Sequence, residues 1–185
     1  MIAAQDTLPD YLRPGLDRVF VGINPGAYSA RVGRYFATPQ NRFWPAINLS
    51  GLVQSGGKLG PQDDVRMDGF GIGFTDVVKR ASNSASSLRA DDFRRWAPVL
   101  KERLLRHQPL VVCFNGLMAY RGYVQYAEGV TEAPALGPQQ RRIGASHVFV
   151  VPNPSPANAA YSLDTLASWY RRLGAYRDMV KREHA

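Results

Sequence analysis

The hydrophobic and polar positions divide the chain into two kinds of segment. Runs of apolar and β-branched residues, typical of buried strands, cover 18–23, 110–114 and 146–151, and a glycine-rich extended segment covers 70–78. Between them lie segments with apolar residues at helical spacing. Strands that alternate with helices pair in parallel, because each helix carries the chain back across the sheet. The pattern predicts an α/β fold, a three-layer α/β/α sandwich around a central, mainly parallel four-stranded sheet.

Helices are predicted where apolar spacing and capping residues coincide. One is expected over 41–49, one over 91–107, a short one over 117–122, and a last one that begins at Ser162. Pro98 should break or kink the second of these helices, since a proline inside a helix removes a backbone hydrogen bond.

Segments without either periodicity are predicted to be loops. Residues 24–40 form a long loop, which in a compact domain is usually functional, and residues 127–140 form another. The chain has no internal repeat and no linker composition. We therefore expect a single domain over 1–185, with an N-terminal arm over 1–17 and a charged tail over 177–185.

The charge balance points to a polyanionic partner. With 23 Lys and Arg against 15 Asp and Glu, the formal net charge is +8. Nucleic acid is the first candidate for such a partner, although basic proteins without one are common.

The rest of the composition bears on the cellular location and on bound metals or cofactors. Cys113 is the single cysteine and cannot form an intramolecular disulfide, which agrees with a cytoplasmic location. No apolar run approaches the ~20 residues of a membrane helix, and the N-terminus lacks a signal-peptide core. The histidines at 107, 147 and 184 are scattered. Neither a metal nor another cofactor is expected.

An Asn-Pro turn ends two of the predicted strands. The tripeptide 24–26 (Asn-Pro-Gly) follows the first strand, and the tripeptide 153–155 (Asn-Pro-Ser) follows the last. Ligands of open α/β sheets bind at the carboxyl ends of the strands. If both strands run parallel in one sheet, Asn24 and Asn153 face each other across a single cleft.

Three sequence blocks carry a family resemblance. Gly22-Ile23-Asn24-Pro25-Gly26, the block 36–44 (FATPQNRFW) and the block 153–155 resemble the mismatch-specific uracil-DNA glycosylase / thymine-DNA glycosylase family of the uracil-DNA glycosylase superfamily. The similarity extends over about 18–175, and 69–78 and 114–116 are similar to the intervening family segments.

The resemblance implies a monofunctional DNA glycosylase that initiates base-excision repair. Such an enzyme extrudes a uracil nucleotide from DNA into a pocket and hydrolyses its N-glycosidic bond with a positioned water. Its partner would be uracil-containing DNA, single- or double-stranded, and a monomer is expected. Lesion range, strand preference and recognition of an opposite guanine stay open.

Two residues are the candidates for catalysis. Asn24 matches the family residue that positions the water, although an Asn before Pro can also simply shape its turn. Asp76 departs from the family pattern, and a carboxylate activates water better than an amide does. Our hypothesis is that Asp76 assists or partly replaces Asn24. The alternative is that Asp76 caps a turn or pairs with Lys79 or Arg80.

The substrate-binding residues that the resemblance implies are Ile23, Ser29, Tyr35, Phe36 and Asn153. Phe36 matches the aromatic residue that stacks on the base, with core packing as the alternative and Tyr35 as a substitute. Ser29 would lie near the pyrimidine C5 position. Asn153 would donate to a pyrimidine carbonyl, or only shape its turn.

The DNA-binding candidates form two groups. One is the segment Ser155, Pro156, Ala157 and Asn158; the other is the basic set Arg31, Arg34, Lys79 and Arg80. The family's bulky wedge and following Arg are absent, because small residues such as Ala157 and Ala159 stand there. This departure weakens the case for mismatch specificity and leaves open a preference for single strands, in which no pair must be broken.

Other functions remain alternatives. The first is a glycosylase for a different lesion, such as a deaminated purine or a modified pyrimidine. The second is a binding module that recognises damaged bases without cutting. A nucleotide-binding α/β protein is disfavoured, since the chain lacks a Gly-rich phosphate-binding motif.

Overall fold

The computed structural model describes residues 7–185, and five strands form one sheet within them. The strands are β1 (Arg18–Gly22), β2 (Ile72–Asp76), β3 (Val111–Asn115), β4 (Gly137–Ile143) and β5 (Ser146–Val151). Their order is β2-β1-β3-β5-β4, with β4 antiparallel to β5 and the other neighbours parallel. The predicted, mainly parallel sheet is confirmed, but it has five strands and not four.

The additional strand is β4, most of which the sequence placed in a loop. Only its first and last residues, Gly137 and Ile143, are buried, and the positions between them are exposed or half-buried. An edge strand with one neighbour needs no continuous apolar run, and Pro138 is tolerated at such an edge. For this reason β4 carries no strand signal in the sequence.

Five α-helices flank the sheet in the described part of the chain. They are α1 (Ala27–Val32), α2 (Phe43–Ser50), α3 (Ala90–His107), α4 (Leu117–Tyr123) and α5 (Leu163–Glu183). Two 3₁₀ segments (Pro61–Phe70 and Ala85–Ser87) and a π-helical turn (Val124–Glu128) complete the architecture. No helix of residues 7–185 has the length and apolarity to cross a membrane.

Alternate side chains of the strands enter two separate cores. Phe20 and Cys113 pack with α2 and α5 on one face, whereas Val21 and Phe114 pack with α3 and α4 on the other. This alternation follows from the two-residue period of a strand. It produces the predicted three-layer α/β/α sandwich.

Three local predictions need correction. The segment 24–40 contains α1, which ends at Gly33 in a left-handed conformation. Helix α3 continues through Pro98, because this proline lies on the exposed face, where water can satisfy the carbonyl of Arg94. The predicted charged tail 177–185 is helical through Glu183.

The N-terminal arm, described from residue 7 onward, covers the free edge of the sheet. Tyr11 pairs with Phe74 of β2 through two backbone hydrogen bonds of 2.9 and 3.1 Å. Leu8 and Leu16 are buried on either side of this contact. The arm therefore protects an edge that would otherwise expose unpaired backbone groups. The part of the predicted arm at 1–6 lies outside the described residues.

Candidate active site

A cleft of about 650 Å³ opens at the carboxyl ends of β1, β2, β3 and β5. Its lining includes Asn24, Phe36, Asp76, Asn115 and Asn153. The two Asn-Pro turns, more than a hundred residues apart in the chain, thus border the same cavity. Their convergence follows from the parallel order of the strands, with β3 between β1 and β5.

Asn24 is fixed by the segment that follows β2. Its amide nitrogen donates to the carbonyl oxygen of Arg80 at 2.9 Å and to Ser82 Oγ at 2.7 Å. A backbone carbonyl can only accept, so this contact sets the orientation of the amide. Among the described residues, no group donates a hydrogen bond to Asn24 Oδ1. The oxygen can therefore accept a hydrogen bond from a water in the cleft.

Asp76 ends β2 and is 4 % exposed. Its carboxylate lies against Gly22 of β1, where an added Cβ would stand 2.5 Å from Asp76 Oδ1. Within residues 7–185, Asp76 Oδ2 has no hydrogen-bond partner, and Lys79 Nζ is 3.7 Å away, beyond hydrogen-bond distance. The side chain is thus buried in the cleft wall with one oxygen unsatisfied.

The environment of Asp76 makes it a weak acid. Burial raises its pKa to about 7, Lys79 opposes this shift, and Asp10 adds to it. At neutral pH the side chain is therefore divided between its charged and neutral forms. A pKa near the working pH is what a general base requires.

Phe36 forms the aromatic wall of the cleft. Its ring stacks on Phe43 with centroids 4.1 Å apart and planes 22° from parallel. The backbone φ of Phe36 is +54°, in the left-handed region that residues other than glycine rarely adopt. Tyr35 is 2 % exposed and stacks on Phe74, and its hydroxyl donates to the carbonyl of Pro9 at 2.8 Å. Of the two aromatic candidates, Phe36 is half-buried and presents more of its surface to a ligand.

Asn153 forms a turn and keeps a free donor. Its Oδ1 accepts from the backbone N–H of Ser155 at 2.9 Å, as in an Asx turn. No described residue accepts a hydrogen bond from its Nδ2. The turn role and the donor role are therefore compatible, since they use different atoms of one amide.

Arg42 holds the segment that follows Asn153. Its guanidinium donates to the carbonyl oxygens of Ser155 at 3.1 Å, Asn158 at 2.6 Å and Tyr161. Asn41 Oδ1 accepts from the backbone N–H of Phe43, the first residue of α2, at 2.9 Å. The block 41–44 thus couples α2 to the second Asn-Pro turn.

Ser29 and Ile23 complete the expected lining of the cleft. Ser29 is 5 % exposed, and its Oγ accepts from the backbone N–H of Ala37 at 3.0 Å. This contact joins α1 to the segment that carries Phe36. Ile23 is 9 % exposed, and its carbonyl accepts from the backbone N–H of Val78 at 2.9 Å. The main chain on both sides of Asp76 is therefore held to β1 and its extension.

Sequence reasoning did not assign a role to Asn115. This residue ends β3 between the two Asn-Pro turns and is 2 % exposed. Neither its Oδ1 nor its Nδ2 has a partner within residues 7–185. A buried amide without partners costs free energy, and its place in the cleft lining makes Asn115 a candidate to bind a ligand. In the sequence, Asn115 is visible only as a polar residue that ends an apolar run.

Comparison with known proteins agrees with this geometry. The family model of the uracil DNA glycosylase superfamily matches residues 9–174. The chain belongs to this superfamily. The solution NMR structure of a presumed uracil DNA glycosylase from Methanosarcina acetivorans is similar in fold, with a TM-score of 0.59 and 20 % identity over 95 % of this chain and 97 % of that one.

The segment 155–158 of this superfamily member borders the cleft. Ser155 Oγ accepts from the backbone N–H of Ala157 at 3.3 Å, and Asn158 Nδ2 donates to the carbonyl of Asn153 at 3.1 Å. Pro156 and Ala157 are exposed. All four residues line the opening, so their position is compatible with the DNA contact expected for them.

The basic residues fall into different environments. Arg31 is exposed and lies over the ring of Tyr28, with its guanidinium carbon 5.5 Å from the ring centroid. Arg34 pairs with the buried Asp64 at 2.9 Å, and Arg80 pairs with Asp92 at 2.7 Å, although both arginines remain partly exposed.

The environment of Lys79 argues against the phosphate contact expected for it. This side chain is 8 % exposed and pairs with Asp10 at 2.8 Å. A phosphate would have to break this buried pair to reach the ammonium group.

Met118 is a second residue that sequence reasoning missed. It lies in the first turn of α4 at the cleft opening and is 62 % exposed. Single exposed apolar side chains are common on protein surfaces, so it is the place of Met118 at the cleft opening that makes it a candidate for contact with DNA. The sequence predicts a short helix here, and nothing in the helical pattern shows that the side chain of Met118 is exposed.

Proposed function

We propose that this protein is a monofunctional DNA glycosylase that removes uracil from DNA and so initiates base-excision repair. The observation that carries the proposal is the unsatisfied, buried carboxylate of Asp76 in the same cleft as Asn24. Membership of the uracil DNA glycosylase superfamily supports the reaction class. The net charge of +8 supports DNA as the partner.

The extruded base would bind between three kinds of group. Phe36 stacks on its face, Asn153 Nδ2 donates to a pyrimidine carbonyl, and the Asn115 amide pairs with the polar edge of the ring. An amide has both a donor and an acceptor, and so can pair with the adjacent N–H and carbonyl of uracil. Base stacking on an aromatic side chain contributes roughly 1–3 kcal/mol.

Hydrolysis would use the opposite side of the sugar. Asn24 Oδ1 accepts a hydrogen bond from the water and orients it, and Asp76 takes its proton as the water oxygen bonds to C1′. The N-glycosidic bond breaks with its electron pair on the base, which leaves as an anion. Asn153 stabilises that anion through its donor. The proton held by Asp76 returns to solvent.

Single-stranded uracil is the substrate that the cleft opening favours. The segment after Asn153 carries the exposed small residues Ala157 and Ala159, neither of which fills the space of an extruded nucleotide. A single strand needs no such filling, because no base pair must be replaced. On duplex DNA, the exposed side chain of Met118 would be the available apolar wedge.

A substrate panel tests the function. The protein is incubated in excess with uracil oligonucleotides that are single-stranded, U:G or U:A, and with T:G and hypoxanthine duplexes, and abasic product is measured after alkaline cleavage. We expect product from uracil, fastest in the single strand, and a loss of at least about 100-fold in Asn24→Ala. Absence of product from every uracil substrate would contradict the proposal.

The same panel separates the alternatives. Product from hypoxanthine alone would identify a glycosylase for another lesion. Tight binding of uracil DNA without product, equal in wild type and Asn24→Ala, would identify a binding module. Asp91→Asn serves as a control, because Asp91 is a highly exposed carboxylate on α3 that pairs only with Arg94 among the described residues.

A further inference from the structure

Lys79 lies between two carboxylates of different elements. Its Nζ is 2.8 Å from Asp10 Oδ1, in the N-terminal arm, and 3.7 Å from Asp76 Oδ2. Only the first distance is a hydrogen bond. All three side chains are largely buried, so replacing either carboxylate with water beside the ammonium group would cost free energy.

Asp10 is held in place independently of Lys79. Thr75 Oγ1 donates to Asp10 Oδ1 at 2.7 Å, and the guanidinium of Arg103 on α3 binds Asp10 Oδ2. The next residue, Tyr11, is fixed to Phe74 by the backbone pairing at the sheet edge. The position of Asp10 is therefore set by β2 and α3, and it determines where the Lys79 ammonium group rests.

We infer that Asp10 is a positioning residue for the reaction, because it draws the Lys79 ammonium group away from Asp76 and leaves the Asp76 carboxylate, which lines the cleft, without a close cation, so that it can accept a proton from water. This inference rests on the proposed role of Asp76 as the base. A fully paired Asp76 would be a poor base, since a close ammonium group stabilises the carboxylate. A residue of the N-terminal arm that does not itself line the cleft thus controls the chemistry inside it.

Among the described residues, the other groups around Asp76 cannot take over the role of Asp10 in holding the Lys79 ammonium group. Gly22 of β1 contributes only backbone, and the Tyr35 hydroxyl, which accepts from Lys79 Nζ at 3.4 Å, stays neutral because burial raises its pKa further. Arg103 acts on Asp76 only through Asp10 among the described contacts. The pKa of Asp76 agrees, since Lys79 lowers it and Asp10 raises it.

Two substitutions test the inference by opposite shifts. In Asp10→Asn the ammonium group loses its charged partner and moves to Asp76, so the acid limb of log(kcat/KM) against pH should move down by about 1 unit or more. In Lys79→Met the same limb should move up. Asp91→Asn, an exposed carboxylate of equal charge, should leave the limb in place.

A measurement without DNA separates failure of the inference from failure of the proposed function. The ¹³C resonance of the Asp76 carboxyl, assigned by its loss in Asp76→Asn, is titrated in wild type, Asp10→Asn and Lys79→Met. Opposite displacements of its midpoint support the inference even if no substrate is cleaved. An unchanged midpoint in a folded Asp10→Asn protein overturns it, even if uracil is excised. If Asp10→Asn does not fold, an unchanged midpoint in Lys79→Met decides against it in the same way.

Discussion

Gly22 and Asp76 are register partners across β1 and β2, and the carboxylate of Asp76 occupies the space of a side chain that Gly22 lacks. An ideal Cβ at position 22 would lie 2.5 Å from Asp76 Oδ1. The sequence block that contains Asn24 thus also makes room for the second catalytic candidate.

Gly22→Ala should lower the rate of uracil excision while leaving the protein folded. The added methyl group must displace the Asp76 carboxylate, and a displacement of about 1 Å in a reacting group costs about 100-fold in rate. Single-turnover excision of uracil measures the effect.

The matched control is Gly69→Ala. No heavy atom lies within 4 Å of a Cβ built at Gly69, so this variant should excise uracil at the wild-type rate. Equal activity of Gly22→Ala and Gly69→Ala would show that the carboxylate position does not matter.

Asp76→Asn should stabilise the protein, and more so at alkaline pH. The pKa of Asp76 rises from 3.8 to about 7 on folding, so its ionisation costs stability as pH rises through that window. The gain in free energy of unfolding should be about 2–3 kcal/mol larger at pH 8 than at pH 5. Urea denaturation at both values measures the difference. A gain that does not change with pH would mean that the carboxylate is ionised throughout this range.

Arg42→Gln should reduce both stability and activity. The guanidinium donates to three carbonyl oxygens of the segment 155–161, and a shorter amide cannot span them. Loss of these contacts should cost on the order of 2 kcal/mol of stability and should raise KM, because Asn153 is no longer held.

The control for Arg42 is Arg106→Gln, in which an exposed guanidinium leaves its exposed partner Glu102. Exposed pairs contribute little, so stability and KM should stay near wild type. If the two variants behave alike, Arg42 does not fix the second Asn-Pro turn.

The sequence predicted the parts of the fold that follow from continuous burial. The runs that form β1, β3 and β5 are buried on both faces, and such strands are visible in composition alone. Strand β4 escaped prediction because only one side of it has a neighbour. The location of Asn24 and Asn153 in one cleft followed from the parallel order, without knowledge of the loops.

The electrostatics of the site could not be predicted from sequence. Lys79 was expected to contact DNA, since nothing in the sequence shows that Asp10, nearly seventy residues away, receives its ammonium group. Asn115 ends an apolar run like many strand-terminal residues, and only its burial without partners distinguishes it. Pairing and burial arise from contacts that are distant in the chain.

Phe36→Ala should lower kcat/KM for uracil by roughly 5–150-fold, the factor that corresponds to a stacking contribution of about 1–3 kcal/mol. Phe36→Tyr keeps the ring and should retain most of the activity. Phe36 also stacks on Phe43, so Phe36→Ala loses core packing as well as contact with the base. The thermal unfolding temperature of each variant measures the packing part alone. Equal kcat/KM in the two variants would show that the ring does not contact the base.

Met118→Ala should impair excision from duplex DNA more than from a single strand. The side chain is 62 % exposed at the cleft opening, and apolar side chains inserted into a duplex replace the stacking that an extruded base gives up. We expect about a tenfold loss on U:G and little change on single-stranded uracil, measured in single turnover.

Met179→Ala is the matched control, because Met179 is a 40 % exposed methionine on α5 that does not line the cleft. Equal losses on both substrates would assign Met118 to general DNA binding. No loss on either would leave duplex uracil without a wedge and would make the single strand the working substrate of this cleft.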